Sequence, residues 1–353
     1  MKKKLLFIVE AMGGGVFTYI VDLANELAKS YDVYIAYGIR KQTPPDYKEY
    51  FDKNVHLIEV KNFERAISLH KDLKSFLEIK RIAKVVKPDI IHLHSSKAGV
   101  LGRIAFAFSK TPVYYTPHGF SFLMAGIARK KQILYRFIEK VCTFSGATTI
   151  ACSPGEYEEA KKISRKVKLV NNGINISDLE IYNKNTSEVK KIVTLGRATY
   201  QKNPKLFNDI ATLLPNEKFI WIGDGELVDQ LSSDNIEVTG WLQRSQALNT
   251  IVDSDIFVLP SLWEGLPLSL LEAMYLGKIC IVSNAVGNRD VIRNGVNGFI
   301  CRTPKEYADV IQKVRNGVID TNRIVEHARE DILSIYNTVV MAKQYEDIYS
   351  NNQ

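Results

Sequence analysis

The sequence predicts an α/β protein built as two doubly wound parallel-sheet domains facing a central cleft, and three observations carry that prediction. Short apolar runs alternate with helix-length stretches along nearly all of the 353 residues, the pattern of parallel strands joined by crossover helices. The alternation breaks at the polar, aperiodic run Asn183-Lys184-Asn185-Thr186-Ser187 and then starts again. A chain of this length also exceeds one ordinary hydrophobic core, so two domains are the natural expectation.

In order, the strand-like runs of the first half are 5–9, 33–37, 56–60, 90–94, 113–116 and 148–151, with helical stretches between them such as 16–29, 70–86 and 98–109. Three lysines precede the first run, as in a targeting leader. Only five apolar residues follow before Glu10 and three glycines interrupt, so the segment reads as a first strand. The second half offers strands at 192–195, 219–222, 236–238, 256–259 and 279–282. No stretch approaches the ~18 apolar residues of a membrane-spanning helix.

An apolar content of 46% and a charged content of 24% are ordinary for a soluble globular protein. Cys142, Cys152, Cys280 and Cys301 are scattered, with no CxxC pair and no histidine at metal spacing, which suits reduced thiols in a cytosolic protein. The net charge of +8 is unevenly placed: residues 1–173 hold 29 Lys and Arg against 16 Asp and Glu. Between Asp89 and Glu139 there is no acid at all, but there are Lys97, Arg103, Lys110, Arg129, Lys130, Lys131 and Arg136. A solvated basic face is the plain explanation. Nucleic acid lacks any accompanying motif. The segment 127–141 mixes Arg129, Lys130, Lys131, Arg136 and Lys140 with Ile133, Leu134, Tyr135, Phe137 and Ile138, a pattern suited to an amphipathic helix on an anionic membrane surface. Membrane contact is the better functional reading.

Doubly wound sheets bind ligands at the carboxyl ends of their strands. The run 256–259 is followed by Pro260-Ser261-Leu262-Trp263-Glu264-Gly265-Leu266-Pro267-Leu268-Ser269-Leu270-Leu271-Glu272. Pro267 suits the first turn of a helix and Gly277 its end. One acid therefore lies in the strand-to-helix loop and the other about a turn and a half into the helix. Between them, the N–H groups of Leu266, Leu268, Ser269 and Leu270 are expected to be free. Such a helix start attracts anions through unpaired donors and its dipole. Two carboxylates beside an anion site suit a ligand that also carries hydroxyls, and a nucleotide sugar carries both.

Other strand ends add to this. Gly13-Gly14-Gly15 follows the first run and suits either a tight turn or a ligand loop; it lacks the GxGxxG spacing and acidic partner of a dinucleotide site. His92 and His94 share one strand face, so at least one should be packed in the sheet. Pro117 and Gly119 force a turn that presents His118. Arg197 and Lys202 suit a diphosphate clamp, one as a planar fork and one as a point charge, or a surface ion-pair position. Gly223-Asp224-Gly225-Glu226 is a tight turn that permits close backbone approach. Asp253-Ser254-Asp255 precedes its strand, at the wrong end for a ligand, and reads as a connection, not a metal site.

Together these residues resemble a family 4 glycosyltransferase of GT-B fold, over nearly the whole chain. The most specific part is the E-x7-E pattern between Pro260 and Ala273. Gly196-Arg197 with Lys202, the glycine-rich first loop and Thr116-Pro117-His118-Gly119 stand in the family's order. His94-Ser95-Ser96-Lys97-Ala98-Gly99 with Pro117-His118-Gly119-Phe120 is similar to bacterial capsule and exopolysaccharide members, whose usual task is to add a sugar to an undecaprenyl-diphosphate-linked intermediate.

The resemblance implies an acceptor domain over 1–178, with a last helix at about 336–353 packing back on it, and a nucleotide-sugar domain over 179–335. Arg197 and Lys202 would bind the donor diphosphate and stabilise the leaving group. Glu264 would hold donor-sugar hydroxyls, with Gly265, Leu266 and Leu268 lining the sugar by backbone. Glu272 would accept from the ribose, while Ser269 and Leu270 offer N–H groups to phosphate. His118 would contact the sugar near the reacting carbon, and Gly14 and Gly15 would close over phosphate and acceptor. Trp241 and Leu242 match the nucleobase region loosely.

The implied reaction moves a hexose or N-acetylhexosamine from a UDP-linked donor to a polyprenyl-diphosphate-linked saccharide. It retains configuration by front-face attack, with no metal, no other cofactor and no side-chain general base; Glu264 as a covalent nucleophile stays open as the second route. The implied partners are the nucleotide sugar, the lipid-linked saccharide and an anionic membrane met through Lys97, Arg129, Lys130, Lys131 and Arg136, with no nucleic acid. The implied location is cytoplasmic, on the inner face of the plasma membrane. A nucleotide-sugar epimerase of the same fold and a non-catalytic partner of another transferase stay open. Against the latter stands the complete set Arg197, Lys202, Glu264 and Glu272.

Overall fold

The computed structural model describes residues 2–10, 12–64, 66, 68–182 and 190–351. The polar run 183–187, expected to mark the change of domain, lies outside the described residues. Backbone packing divides the chain into one unit of Met1–Gly173 with Thr338–Gln353 and another of Ile174–Asn337.

The first unit holds seven strands: β1 (Lys4–Val9), β2 (Asp32–Tyr37), β3 (His56–Glu59), β4 (Ile90–His94), β5 (Val113–Thr116), β6 (Thr148–Ala151) and β7 (Val167–Leu169). They pair in the order β3-β2-β1-β4-β5-β6-β7, all parallel. Leu5, Leu6, Phe7, Ile8 and Val9 of β1 are all fully buried, because helices cover a parallel sheet on both faces. That is why this strand reads as an unbroken apolar run instead of an alternating one. Leu6, Ile8, Ile91, Leu93 and Tyr115 centre one core layer.

The second unit holds β8 (Lys191–Leu195), β9 (Lys218–Ile222), β10 (Ile236–Val238), β11 (Ile256–Leu259), β12 (Ile279–Ser283) and β13 (Phe299–Cys301). Their order is β10-β9-β8-β11-β12-β13, again all parallel, over a core of Phe207, Phe219, Trp221, Val258 and Ile281. Strand order reverses between β1 and β4 in one sheet and between β8 and β11 in the other. Beyond the carboxyl ends at such reversals, open α/β sheets bind their ligands.

Two strands escaped the sequence reading, β7 and β13. Each is a three-residue edge strand, as is β10, which the sequence did offer, so segments this short carry no period that decides between strand and loop. Helix bounds also shift. The helix expected at 16–29 is Gly14–Leu27 and starts inside the glycine run; that at 98–109 is Ser96–Ala105. The last helix, Thr338–Ser350, belongs to the first unit and buries Tyr345 and Tyr349 completely within it.

Candidate active site

The reversal in the second sheet gathers the charged residues singled out above. Beyond β8, residues 196–203 form a loop that closes on the segment following β11: the Leu262 N–H donates to the Gln201 carbonyl at 2.8 Å, and Gln201 Nε2 donates to the Trp263 carbonyl at 3.0 Å. This brace sets Lys202 Nζ 2.7 Å from Glu264 Oε1, with side-chain exposures of only 19% and 9%. The two therefore form one ion pair, which the sequence reading of each as a lone charge did not anticipate. Arg197 is exposed, and among the described residues no ion pair is found for it. Behind it, the Ala198 N–H donates to the Asp224 carbonyl and the Ala198 carbonyl accepts from Leu227, both at 2.9 Å. The turn at Gly223-Asp224-Gly225-Glu226 thus does allow close backbone approach, and the backbone it approaches is that of Gly196 and Ala198.

The helix after this loop is Leu268–Tyr275, with Pro267 just before its first residue. The Pro267 carbonyl accepts the Leu270 N–H at 3.2 Å, so Leu270 is not the free donor expected of it: the first turn consumes it. Leu268 and Ser269 stay as candidate donors at the helix start. Glu272 is buried, and its carboxylate lies 2.7 Å from the Arg244 guanidinium, which comes from the helix Arg244–Val252. After β10, Trp241 is exposed and Leu242 half-buried. At the amino end of β11, Asp255 is held by Arg315, which also binds Glu217 at 2.8 Å. Among the described residues no group of three or more His, Cys, Asp or Glu side chains is placed to hold a metal ion.

In the first unit, β1 runs into Glu10, which is buried and gripped by the Arg40 guanidinium at 2.6 Å. Gly14 has φ +58, a left-handed conformation that favours glycine, and no atom lies within 4 Å of where a Cβ would stand on Gly14 or Gly15. Glycine is needed there for backbone shape, and the space beside it is open. His118 also has positive φ, +55, which is uncommon for a side-chain-bearing residue. Glu156 holds that turn in place: its two carboxylate oxygens accept the Gly119 N–H at 2.7 Å and the Cys152 N–H at 2.8 Å. Burial pushes the Glu156 carboxyl up, although both N–H bonds favour its charged form.

Behind His118 lies a chain of buried polar rings. His94 Nδ1 is 3.1 Å from His118 Nε2; His92 Nδ1 meets the Tyr349 hydroxyl at 2.6 Å and His92 Nε2 the Thr116 hydroxyl at 2.9 Å; Tyr19 and Tyr345 share a hydrogen bond of 2.6 Å. Both His92 and His94 are fully buried, more than the one of the pair that the strand alternation demanded. Desolvation pushes His118 down to about 3 and holds His92 and His94 well below the usual histidine range, so all three are neutral.

The basic residues divide. Lys97 is not a free cation for a membrane or acceptor: its ammonium donates to the Glu64 and Ala66 carbonyls at 2.6 Å and pairs with Asp72. Arg103 is buried against Glu139 at 2.7 Å. The other cations lie on or beside the helix Arg129–Cys142, where Arg129, Lys130 and Lys131 are exposed and Arg136 reaches Glu159 at 3.9 Å. Ile133, Leu134, Phe137 and Val141 are exposed on the same helix. No helix of the described residues is long and apolar enough to cross a membrane.

Comparison with known proteins identifies the family and the fold. Residues 13–178 match the model of Glycosyltransferase Family 4, and residues 178–331 that of Glycosyl transferases group 1. The UDP-Gal:alpha-D-GlcNAc-diphosphoundecaprenol alpha-1,3-galactosyltransferase of Escherichia coli is 32% identical over 338 residues, covering 85% of either chain. The chain belongs to glycosyltransferase family 4. An alpha-1,4-N-acetyl-D-galactosaminyltransferase of Campylobacter jejuni, which acts on a diNAcBac-PP-undecaprenol saccharide, is 25% identical over 93% of each chain. Among solved structures, sucrose-phosphate synthase from Thermosynechococcus elongatus superposes at a TM-score of 0.82 with 15% identity, over 99% of both chains. Anabaena HepE in complex with UDP and glucose superposes at 0.79 with 18% identity, over 99% of this chain and 100% of that one. These likenesses make the fold of the glycosyltransferase GT-B.

Sequence reasoning missed several residues that hold the candidate residues of the glycosyltransferase or their neighbours in place: Arg244 on Glu272, Arg40 on Glu10, and Glu156 beneath the His118 turn. Each acts through a partner distant in sequence. Only Glu156 left a local trace, as the acid three residues after Ser153, the spacing of a helix start; Ser153 Oγ accepts its N–H at 3.2 Å.

Proposed function

We propose that this glycosyltransferase moves a hexose or N-acetylhexosamine from a UDP-linked donor onto a polyprenyl-diphosphate-linked saccharide in surface-polysaccharide assembly, with retention at the anomeric carbon. The observation that supports the reading is the Lys202–Glu264 pair, which joins the loop after β8, where Arg197 is exposed, to the segment between β11 and the helix Leu268–Tyr275, at the reversal of the second sheet. Fixed cations and a helix end stabilise a departing diphosphate, where the reaction's charge develops. When the diphosphate binds, Lys202 serves two anions, and Glu264 is left able to accept from sugar hydroxyls. Glu272, held by Arg244, accepts from the ribose. In the first unit, His118 and the glycines Gly14 and Gly15 are assigned to sugar, phosphate and acceptor on the family resemblance alone.

In the proposed step the bond from the anomeric carbon to phosphate oxygen breaks, and the acceptor hydroxyl oxygen bonds to the same face of that carbon. Its proton passes to the leaving diphosphate, so no side-chain base and no resident metal are assigned. The lipid-linked acceptor is supported by the Escherichia coli and Campylobacter jejuni relatives, whose names specify diphosphoundecaprenol and PP-undecaprenol saccharides. The exposed apolar and basic residues of Arg129–Cys142 support a peripheral seat on the anionic inner leaflet.

The test is UDP release from a panel of nucleotide sugars, with and without a lipid-linked acceptor extract. Release that depends on acceptor is expected. UDP-sugar turnover indifferent to acceptor would favour an epimerase or hydrolase and sink the transferase reading.

A further inference from the structure

We propose that His94 sets the tautomer of His118, so that His118 meets its ligand as a hydrogen-bond donor through Nδ1. The rings of His94 and His118 are 22° from coplanar with centres 5.4 Å apart, and the nitrogens between them are 3.1 Å apart. Two imidazole radii added to that N–N distance account for the whole separation. The rings therefore meet edge to edge, as an N–H···N hydrogen bond requires, and not face to face. One nitrogen must donate and the other accept.

The opposite edge of His94 decides which. Its Nε2 is buried with no partner. Its neighbours are already engaged: both His92 nitrogens are bonded to Tyr349 and Thr116, the Tyr19 hydroxyl is bonded to Tyr345, and Phe7 offers only a ring edge. A proton on His94 Nε2 would thus be an orphaned buried N–H. A proton on Nδ1 leaves only an orphaned lone pair, the less costly defect. Both sites cannot be protonated, because burial among His92 and His118 opposes the charged form. His94 Nδ1 therefore donates to His118 Nε2, and the single proton of neutral His118 sits on Nδ1. That atom can donate to a hydroxyl or phosphate oxygen, and it has no lone pair with which to accept a proton. His94 is a positioning residue: it acts on the ligand only through His118.

The tautomer is independent of the transfer reading; only the kinetic arm of the test rests on it. Full-length protein carrying ring-¹⁵N histidine gives long-range ¹H–¹⁵N correlations for its six histidines, assigned through His94→Leu and His118→Phe. In the ligand-free wild type, His94 and His118 should both be protonated at Nδ1 and bare at Nε2. His94→Leu should turn His118 into a tautomer mixture, and His94→Asn, whose amide can donate from the Nδ1 position, should preserve it. Wild-type His118 protonated at Nε2 overturns the proposal even if no variant folds. With an active UDP-sugar, His94→Leu should lower kcat about tenfold or more while KM stays within about threefold, and His94→Asn should recover most of the loss. An unchanged kcat in a folded His94→Leu protein with mixed tautomers overturns the positioning role. A wild type inactive on every nucleotide sugar counts against the transfer reading alone, since the tautomer is read from the spectrum.

Discussion

Glu272 and Lys202 show how far a single side chain depends on its partner. With Arg244 2.7 Å away, the Glu272 carboxylate is pre-aimed, so Glu272→Ala should weaken UDP binding by about tenfold or more in calorimetry, equivalent to about 1.4 kcal/mol. Unchanged affinity would contradict the ribose assignment. Lys202→Met removes a cation acting on the leaving group and uncovers Glu264. It should cut kcat by about 100-fold, the scale of losing one preorganised electrostatic donor, with a smaller change in KM. Equal losses in donor affinity and none in kcat would assign Lys202 to ground-state binding. The charges at these positions were legible because strand ends announce where charge will gather. Their pairings were not, because Lys202 and Glu264 stand 62 residues apart and meet only when β8 and β11 lie side by side. Lys97 looked free for the same reason: the carbonyls that saturate it come from residues more than thirty positions upstream.

At the scale of elements, the Arg197 loop is rigid because two backbones touch. A Cβ on Gly225 would stand 2.4 Å from the Ala198 carbonyl oxygen, a contact no side-chain rotation relieves. Gly225→Ala should therefore lower stability by more than about 2 kcal/mol and weaken UDP binding together. A variant of wild-type Tm and affinity would show that the loop tolerates displacement. The histidine cluster on β4 and in the turn after β5 carries a pH signature. Folded pKa values below 6.5 mean that the neutral rings contribute stability fully present above about pH 6.5 and lost as pH falls toward their folded values. Each such histidine costs about 1.4 kcal/mol per pH unit within that window. Glu156, raised above 4.5, acts oppositely: its contribution is present below that pH and fades as pH rises through the folded value. The Tyr19, Tyr345 and Tyr349 rings around the cluster stay neutral throughout, burial holding all three above their usual value. Thermal scans from pH 7 to 5 should show a steady fall in Tm, shallower in His118→Phe. A flat profile would mean that the histidines are not neutral in the folded state. Long central strands were legible as unbroken apolar runs, whereas three-residue edge strands carry no period: β10 was read and β7 and β13 were not.

For the whole molecule, the surplus of positive charge in residues 1–173 is informative once the internally paired cations are set aside. Lys97 and Arg103 drop out, and the helix Arg129–Cys142 keeps its cations beside exposed Ile133, Leu134 and Phe137. Neutralising Lys130, Lys131 and Arg136 should reduce sedimentation with anionic liposomes at low salt by about 1 kcal/mol per charge removed. Equal binding of wild type and variant would return this surface to plain solvation.

The first unit is also discontinuous in the chain, and this bears on how it is made. Its core contains Tyr345 and Tyr349, bonded to Tyr19 and His92, which are synthesised more than three hundred and more than two hundred residues earlier. The second unit is one uninterrupted stretch. During synthesis, therefore, the part begun first must wait to be completed last. Until residue 349 leaves the ribosome, His92 lacks its Tyr349 partner and Tyr19 its Tyr345 partner. The order of assembly thus inverts the order of the sequence, and no nascent chain shorter than this holds a finished site.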